Sequence, residues 1–527
     1  MVTHNIAAVT NQTRVSPVAR TQRLRLEWLA GALLCGTVAG LAAPGMDQSW
    51  LAWIAFAPLF FACSLRDKPR DSSLLGTLYG FAFNLVYMQW YLQVRDSSWE
   101  ALFAQAPLVT RVVVWLAMAL WQGMFIGAAC YLLRKLPLSA GFLPTRRGTL
   151  PLYLVAPILW VGLIEKVFNY RGLLGVPWSM LEYTQYNNPA MLQIASVIGG
   201  CGLGCAIVFA NVVLATIAAT LLKTGAWAFD SRKAAIANLL PAALLLLAIP
   251  LFGDARLADS ASKAPRVRVT ALQGNLAEST HKVSSVKCIE RGLQLAYASR
   301  ADICVWPEWS VPINWTKQRQ FVDFFANEAR LKNQAWILGT FDSVGSPKAQ
   351  YNSVGIVRSD GTFTDKPYHK QYLVPFGEYI PDWVTSTPLI SIFDPKHQLE
   401  TGILSGTESM VLDAGKAKVG PMICFENCMP QFAAASTRLG AQLLVDCSNT
   451  TWFNYSNVIG RQLIAFSVMR AVENHRSSVF CTILGPSAII DPYGRILQQA
   501  HVDQPIGLEA EVPLESDITP FTRMCRF

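Results

Sequence analysis

The sequence holds 527 residues, of which 52% are hydrophobic and only 15% charged, where an ordinary soluble domain carries roughly 25% charged residues. The net charge of +9 does not mark a nucleic-acid-binding protein, because Lys and Arg cluster between apolar runs and do not line one polar face. Twelve scattered cysteines, with no CxxC pair and no tight His/Cys cluster, argue against a disulfide scaffold and a zinc site, so neither metal nor cofactor is expected.

Residues 1–25 are polar and end in Arg20, Arg23 and Arg25, which reads as a cytoplasmic arm leading into a retained apolar anchor. From 26 to 255 seven apolar stretches follow, at 26–44, 50–65, 74–94, 108–133, 151–168, 191–222 and 235–253. Each approaches the roughly 20 residues that a membrane helix needs, and Trp and Tyr gather near their ends. Fourteen Lys and Arg flank these stretches on one side, from Arg14 through Arg66, Arg134 and Lys223 to Lys233. The other side has four: Arg95, Arg111, Lys166 and Arg171. Positive charge stays cytoplasmic, so the N-terminus is predicted inside and everything after about 255 outside. Asn84, Gln89, Gln122, Glu165 and Asn211 fall at or near membrane depth, where polar groups are costly and need a partner or a cavity. Glu165 opens a segment running through Arg171 to Pro177 and Trp178, which reads as an interfacial loop beside the outer domain.

Residues 265–515 alternate strands and helices, and 516–527 form a short polar tail. Strands are predicted at 266–273, 301–306, 335–341, 418–423, 442–446, 479–484 and 487–490. Helices are predicted at 282–300, 321–332, 429–439 and 460–475, a hairpin at 351–366 with Asp360-Gly361 at its tip, and a turn at 491–494. This is a layered α/β pattern.

Three polar residues stand at strand ends or in loops, where catalytic groups collect. Glu308 follows Trp306-Pro307, Lys370 lies in Tyr368-His369-Lys370-Gln371, and Cys424 ends a strand and opens a helix. A thiol at a helix N-terminus is drawn toward the thiolate by the dipole and free N–H groups. A glutamate can take its proton, and a lysine can hold the oxyanion that forms when sulfur attacks a carbonyl.

These residues and their neighbours resemble the carbon–nitrogen hydrolase (nitrilase) superfamily. Longer stretches are similar to the bacterial apolipoprotein N-acyltransferase family: Gln273-Gly274-Asn275, Val374 through Pro381, Ile423-Cys424-Phe425-Glu426 and, in the membrane part, Arg171-Gly172 and Pro177-Trp178. The resemblance implies a multi-pass α-helical membrane domain followed by an extracytoplasmic nitrilase-like αββα sandwich in a bacterial inner membrane. It implies that Cys424 takes an acyl chain from a phospholipid as a thioester and passes it to the amine of a diacylglyceryl-cysteine on an apolipoprotein. Glu308 would be base and acid, Lys370 the oxyanion holder, and Glu378 and Glu426 supports that orient Lys370 and aid the proton relay. Trp178, Phe425, Trp452 and Glu165 are expected to meet substrate. Departures from the family pattern are His281-Lys282, Thr450-Thr451 and Asn454, His475 where Gly is usual, Phe480, Ile483 and Leu484, and the polar tail where another membrane helix is usual; those before the tail are expected around the substrate pocket. The competing reading is a membrane-tethered amidase with the same triad, in which water takes the acyl group. Cys428, one turn after Cys424, is read as a small core thiol, with a resolving role as its alternative.

Overall fold

The computed structural model describes residues 26–94, 107–137, 142–145, 148–169, 177–259, 263–276, 285–343, 349–375, 377–387 and 403–525. The N-terminal arm, Arg95, the loop from 170 to 176, His281-Lys282 and Phe376 lie outside these residues, as does the side chain of Glu165.

The first half is helical: α1 Leu26–Gly40, α2 Ala57–Ser64, α3 Pro69–Tyr87, α4 Pro107–Lys135, α5 Leu152–Asn169, α6 Ala195–Leu221 and α7 Arg232–Ala258. A small hairpin, β1 Phe142–Thr145 with β2 Gly148–Pro151, precedes α5. Among the described residues three helices, α4, α6 and α7, are long and apolar enough to cross a bilayer, consistent with a membrane domain. α3 and α4 approach closely because Gly76 and Gly80 face Gly123 and Gly127: a Cβ on Gly123 would stand 2.6 Å from the Phe81 nitrogen. Small residues at four-residue spacing are what let apolar helices pack backbone to backbone.

The apolar stretch from 50 to 65 is not one helix. A short turn at Ser49–Trp53 breaks before α2, and Asn211 of α6 mends the break. Its side chain accepts from Phe56 N–H at 2.9 Å and donates to the Ala52 carbonyl at 2.8 Å. In apolar surroundings a broken helix needs another group to satisfy the freed backbone. Gln122 and Asn84 also have local partners: Gln122 meets Met88 Sδ and the Ser179 hydroxyl, and Asn84 donates to the Gly80 carbonyl.

The second half is two stacked sheets flanked by helices. Sheet one has the order β15-β3-β4-β5-β6-β7: β15 Ile506–Pro513, β3 Arg266–Gln273, β4 Ile303–Val305, β5 Ala335–Ser343, β6 Gln350–Val357 and β7 Tyr368–His369, with β8 Ile403–Leu404 also against β6. Sheet two runs β14-β13-β12-β11-β10-β9: β14 Ile496–Gln499, β13 Ala488–Ile490, β12 Ser477–Thr482, β11 Leu443–Ser448, β10 Lys418–Ile423 and β9 Leu412–Asp413. Val269, Ile303 and Ile337 of sheet one share one buried apolar cluster with Val419, Val445 and Val479 of sheet two. Helices α8 Ser285–Ala298 and α9 Arg319–Lys332 cover the outer face of sheet one around Trp306 and Trp336. Helices α10 Pro430–Arg438 and α11 Asn457–Asn474 cover sheet two, in one continuous apolar core that includes the helices of the first half. This is the nitrilase-like αββα sandwich predicted. The predicted 351–366 hairpin forms, with the Thr364 N–H donating to the Ile356 carbonyl beside a Val357–Phe363 bridge, and β7 continues the pairing along β6 at Ser353 and Val354. The chain closes on α12 Pro520–Met524, whose Thr519 cap and Thr522 hydroxyl fix it to the end of α11.

Candidate active site

Three residues far apart in sequence meet at the C-terminal ends of strands from both sheets. Glu308 follows β4, Lys370 follows β7 and Cys424 follows β10. Lys370 is 1%, Glu308 5% and Glu378 6% exposed, while Cys424 keeps one flank open. Lys370 Nζ lies 2.8 Å from Glu378 Oε1 and 3.5 Å from Glu308 Oε1. Cys424 lies beside Glu308, and each acts on the other's titration. Asn352 of β6 ties Glu308 to Lys370: its side-chain amide donates to Glu308 Oε1 at 2.6 Å, and its carbonyl accepts from the Lys370 N–H at 2.8 Å.

Burial alone would discharge Lys370, but the Glu378 and Glu308 carboxylates outweigh it and hold the ammonium above its ordinary pKa. Burial raises the pKa of Glu308; Lys370 opposes that rise and Glu378 adds to it. Burial also pushes the Cys424 thiol well up, reinforced by the Glu308 charge and opposed by Lys370. These surroundings favour the thiol over the thiolate. This corrects the expected dipole-stabilised thiolate, for two physical reasons. The helix that Cys424 opens is a single tight turn, Cys424–Cys428. The N–H groups at its start are already taken: Ile423 donates to Glu426 Oε2 and Cys424 to Asp446 Oδ1, both at 2.8 Å.

Glu378 and Glu426 do different jobs. Glu378 bridges Lys370 Nζ and the Val374 N–H, at 2.8 Å each, so it aims the ammonium directly. Glu426, fully buried, accepts from Tyr368 Oη at 2.9 Å, Gln371 N–H at 2.6 Å and Tyr372 N–H at 3.2 Å. It clamps the backbone just after Lys370, and the Tyr368 side chain before it, to the turn that carries Cys424. Burial raises its pKa to about 7 against the N–H groups of Gln371 and Ile423.

An aromatic wall adjoins the thiol. Phe425 stacks between Trp178 at 5.4 Å and Tyr372 at 5.6 Å. Trp178 also meets Trp90 of the first half and Phe466 of α11. Trp452, partly exposed, stands over Gly377. Of the residues expected to meet substrate, Trp178, Phe425 and Trp452 thus gather around the site. His475 does not lie in a pocket beside the thiol: it takes the left-handed backbone, φ +51, that ends α11, and bonds Asp517 at 2.8 Å. A position needing that backbone favours Gly at a helix C-terminus, which accounts for the departure. Cys428 is a buried core thiol donating to the Phe425 carbonyl.

Sequence reasoning missed Asn352 and Asp446. The signal for Asp446 was present: an acidic residue closing the apolar run Leu443-Leu444-Val445.

Residues 35–213 match the family described as apolipoprotein N-acyltransferase N-terminal domain, and residues 268–516 match the carbon-nitrogen hydrolase family. An apolipoprotein N-acyltransferase from Geobacter metallireducens is 30% identical over 500 residues, covering 92% of this chain and 89% of that one. One from Pseudomonas aeruginosa is 31% identical over 505 residues, covering 93% and 91%, and one from Azotobacter vinelandii is 29% identical over 510 residues, covering 93% and 90%.

Proposed function

Because the chain belongs to the apolipoprotein N-acyltransferase family, we propose that it moves an acyl chain from a phospholipid to the N-terminal diacylglyceryl-cysteine of apolipoproteins through a thioester on Cys424. The observation that carries the assignment of roles is the convergence of a partly buried thiol, a buried carboxyl beside it and an ammonium 3.5 Å from that carboxyl. Glu308 takes the thiol proton as sulfur attacks the ester carbonyl, and Lys370 faces the oxyanion. Collapse expels the lysophospholipid oxygen, which receives the proton from Glu308. The acceptor amine then attacks the thioester, Glu308 takes one amine proton, and Cys424 leaves as thiolate. A lysine held firmly charged suits the first role, and a carboxyl raised by burial suits the proton shuttle.

Glu378 keeps Lys370 aimed, and Glu426 fixes the two loops against each other. Trp178, Phe425 and Trp452 guide the lipid. The surrounding topology is seven membrane passes, N-terminus in the cytoplasm, with 265–515 on the periplasmic face of the inner membrane. The charge asymmetry of the connecting loops and the three long apolar helices support it.

The test is expression of the chain in a host depleted of its own N-acyltransferase, with mass spectrometry of lipoprotein N-terminal peptides. Wild type should acylate the amines and Cys424→Ala should not. Free amines with wild type, accompanied by release of free fatty acid, would instead favour the tethered amidase.

A further inference from the structure

Cys424 occupies the left-handed backbone region at φ +55, a conformation that costs a non-glycine residue about 1–3 kcal/mol and survives only where its surroundings enforce it. The enforcing contact comes from the neighbouring strand. Asp446 of β11, with no exposed surface, accepts the Cys424 N–H on Oδ1 at 2.8 Å and the Ser448 hydroxyl on the same oxygen at 3.1 Å. Its other oxygen, Oδ2, is buried and has no hydrogen-bond partner among the described residues. An ionised carboxylate in that position would leave half its charge unsolvated, which is costly. Burial accordingly drives the Asp446 pKa well above the ordinary range; the Cys424 N–H and Ser448 oppose this, and the Glu308 and Glu426 charges add to it.

We propose that Asp446 is a positioning residue for the nucleophile: as a neutral carboxylic acid it anchors the strained Cys424 peptide without setting a second negative charge behind the sulfur. It acts through Cys424 and touches neither substrate nor leaving group. The division of labour is chemical. Glu308 is the carboxyl that must ionise to take the thiol proton. A second anion at Asp446 would hold the thiol protonated and oppose the thiolate that Glu308 creates, so the anchor works only while neutral. The inference rests on Cys424 being the nucleophile.

The test uses the full-length protein in detergent. The pH dependence of iodoacetamide alkylation at the Cys424 peptide is followed by mass spectrometry, alongside kcat and KM with a phospholipid donor and a diacylglyceryl-lipopeptide acceptor. Asp446→Asn keeps an acceptor oxygen and stays neutral. It should leave the alkylation midpoint in place and kcat within about threefold of wild type. Asp446→Ala frees the Cys424 peptide and should lower kcat by about tenfold or more with KM little changed, slowing alkylation at every pH. A midpoint that falls by about one pH unit or more in Asp446→Asn would mean that Asp446 is an anion in the native protein, and would overturn the proposal. Wild-type kcat and alkylation in folded Asp446→Ala would overturn it equally. If that variant does not fold, the Asn variant decides alone. Acyl transfer by Cys424→Ala is scored separately: its persistence would remove the nucleophile assignment, and this proposal with it, whatever Asp446 variants do.

Discussion

Replacing Lys370 by Met isolates the electrostatic logic of the site. The ammonium sits 2.8 Å from Glu378 and 3.5 Å from Glu308, with 1% of its surface exposed. At an effective dielectric constant near 20 these contacts correspond to about 6 and about 5 kcal/mol of attraction, offset in large part by desolvation of all three ions. Removing only the cation leaves two buried carboxylates facing each other, a change that costs about 3–5 kcal/mol. In a catalytic half of this size that is a fall in Tm on the order of 10 °C. The pH dependence has a definite sign. Burial already raises the Glu308 pKa and Lys370 opposes the rise, so in the variant it climbs further. The folded variant then binds a proton that the unfolded chain releases near its usual value of about 4.3. Such stability is present at low pH and lost as pH rises through the folded value, so the Tm deficit should be largest at pH 8 and shrink toward pH 5. Adding Glu378→Gln removes one of the two charges and should recover part of the loss. Thermal unfolding in detergent, followed by tryptophan fluorescence from pH 5 to 8, reads both effects. A Lys370→Met protein with wild-type Tm throughout, or no recovery in the double variant, would refute the reasoning.

Gly339→Ala should abolish acyl transfer while leaving Lys370 and Cys424 in place, because the new Cβ would stand 2.1 Å from the Pro307 carbonyl oxygen and 2.7 Å from Glu308 Cα; activity and alkylation of Cys424 by mass spectrometry report it. Trp178→Ala removes one side of the stack on Phe425 and should cost about 3–5 kcal/mol of stability, with KM for the lipid donor rising, whereas Trp178→Phe keeps most of both; steady-state kinetics and Tm separate the two. Glu426, raised to about 7 by burial, contributes stability that is complete below about 4.3 and lost as pH passes its folded value. The wild-type protein should therefore unfold at a lower temperature at pH 8 than at pH 6, and Glu426→Gln should flatten that slope.

The sandwich was readable in the sequence because its strands are β-branched, apolar and bounded by turns, and because both faces of each inner sheet are covered. Glu308 and Cys424 were readable because each sits just past such a strand, and Lys370 because the residues around it resemble the family's pattern. Their relative placement was not, since it depends on which strands become neighbours. Asn352 illustrates this: in sequence it is one amide within a strand, and only the pairing of β6 with β7 brings it between Glu308 and Lys370. The expected thiolate failed for a related reason. A helix start offers N–H groups in principle, but here Glu426 takes one from within the same turn and Asp446 another from the adjacent strand. In the membrane half, hydropathy located the apolar stretches but not the break at residues 54–56, which exists only because Asn211 completes its hydrogen bonds.

Helix α11 carries a consequence for how the chain is assembled. From Ile459 to Asn474 every side chain except Arg461 is buried, so the helix has no wet face. One side lies on sheet two; the other meets Tyr87, Tyr183 and Gly200 of the first half, through a 2.8 Å bond from Gln462, a ring contact of Phe466 and a 2.9 Å bond to Glu473. The catalytic half is thus finished only when the membrane half is there to receive it, and synthesis from the N-terminus delivers the two in that order. The membrane helices serve as a mould as well as an anchor. Cut free of them, residues 265–515 would present α11 as a bare apolar flank and aggregate. A chain whose membrane part inserts wrongly would likewise leave its own active site half-built.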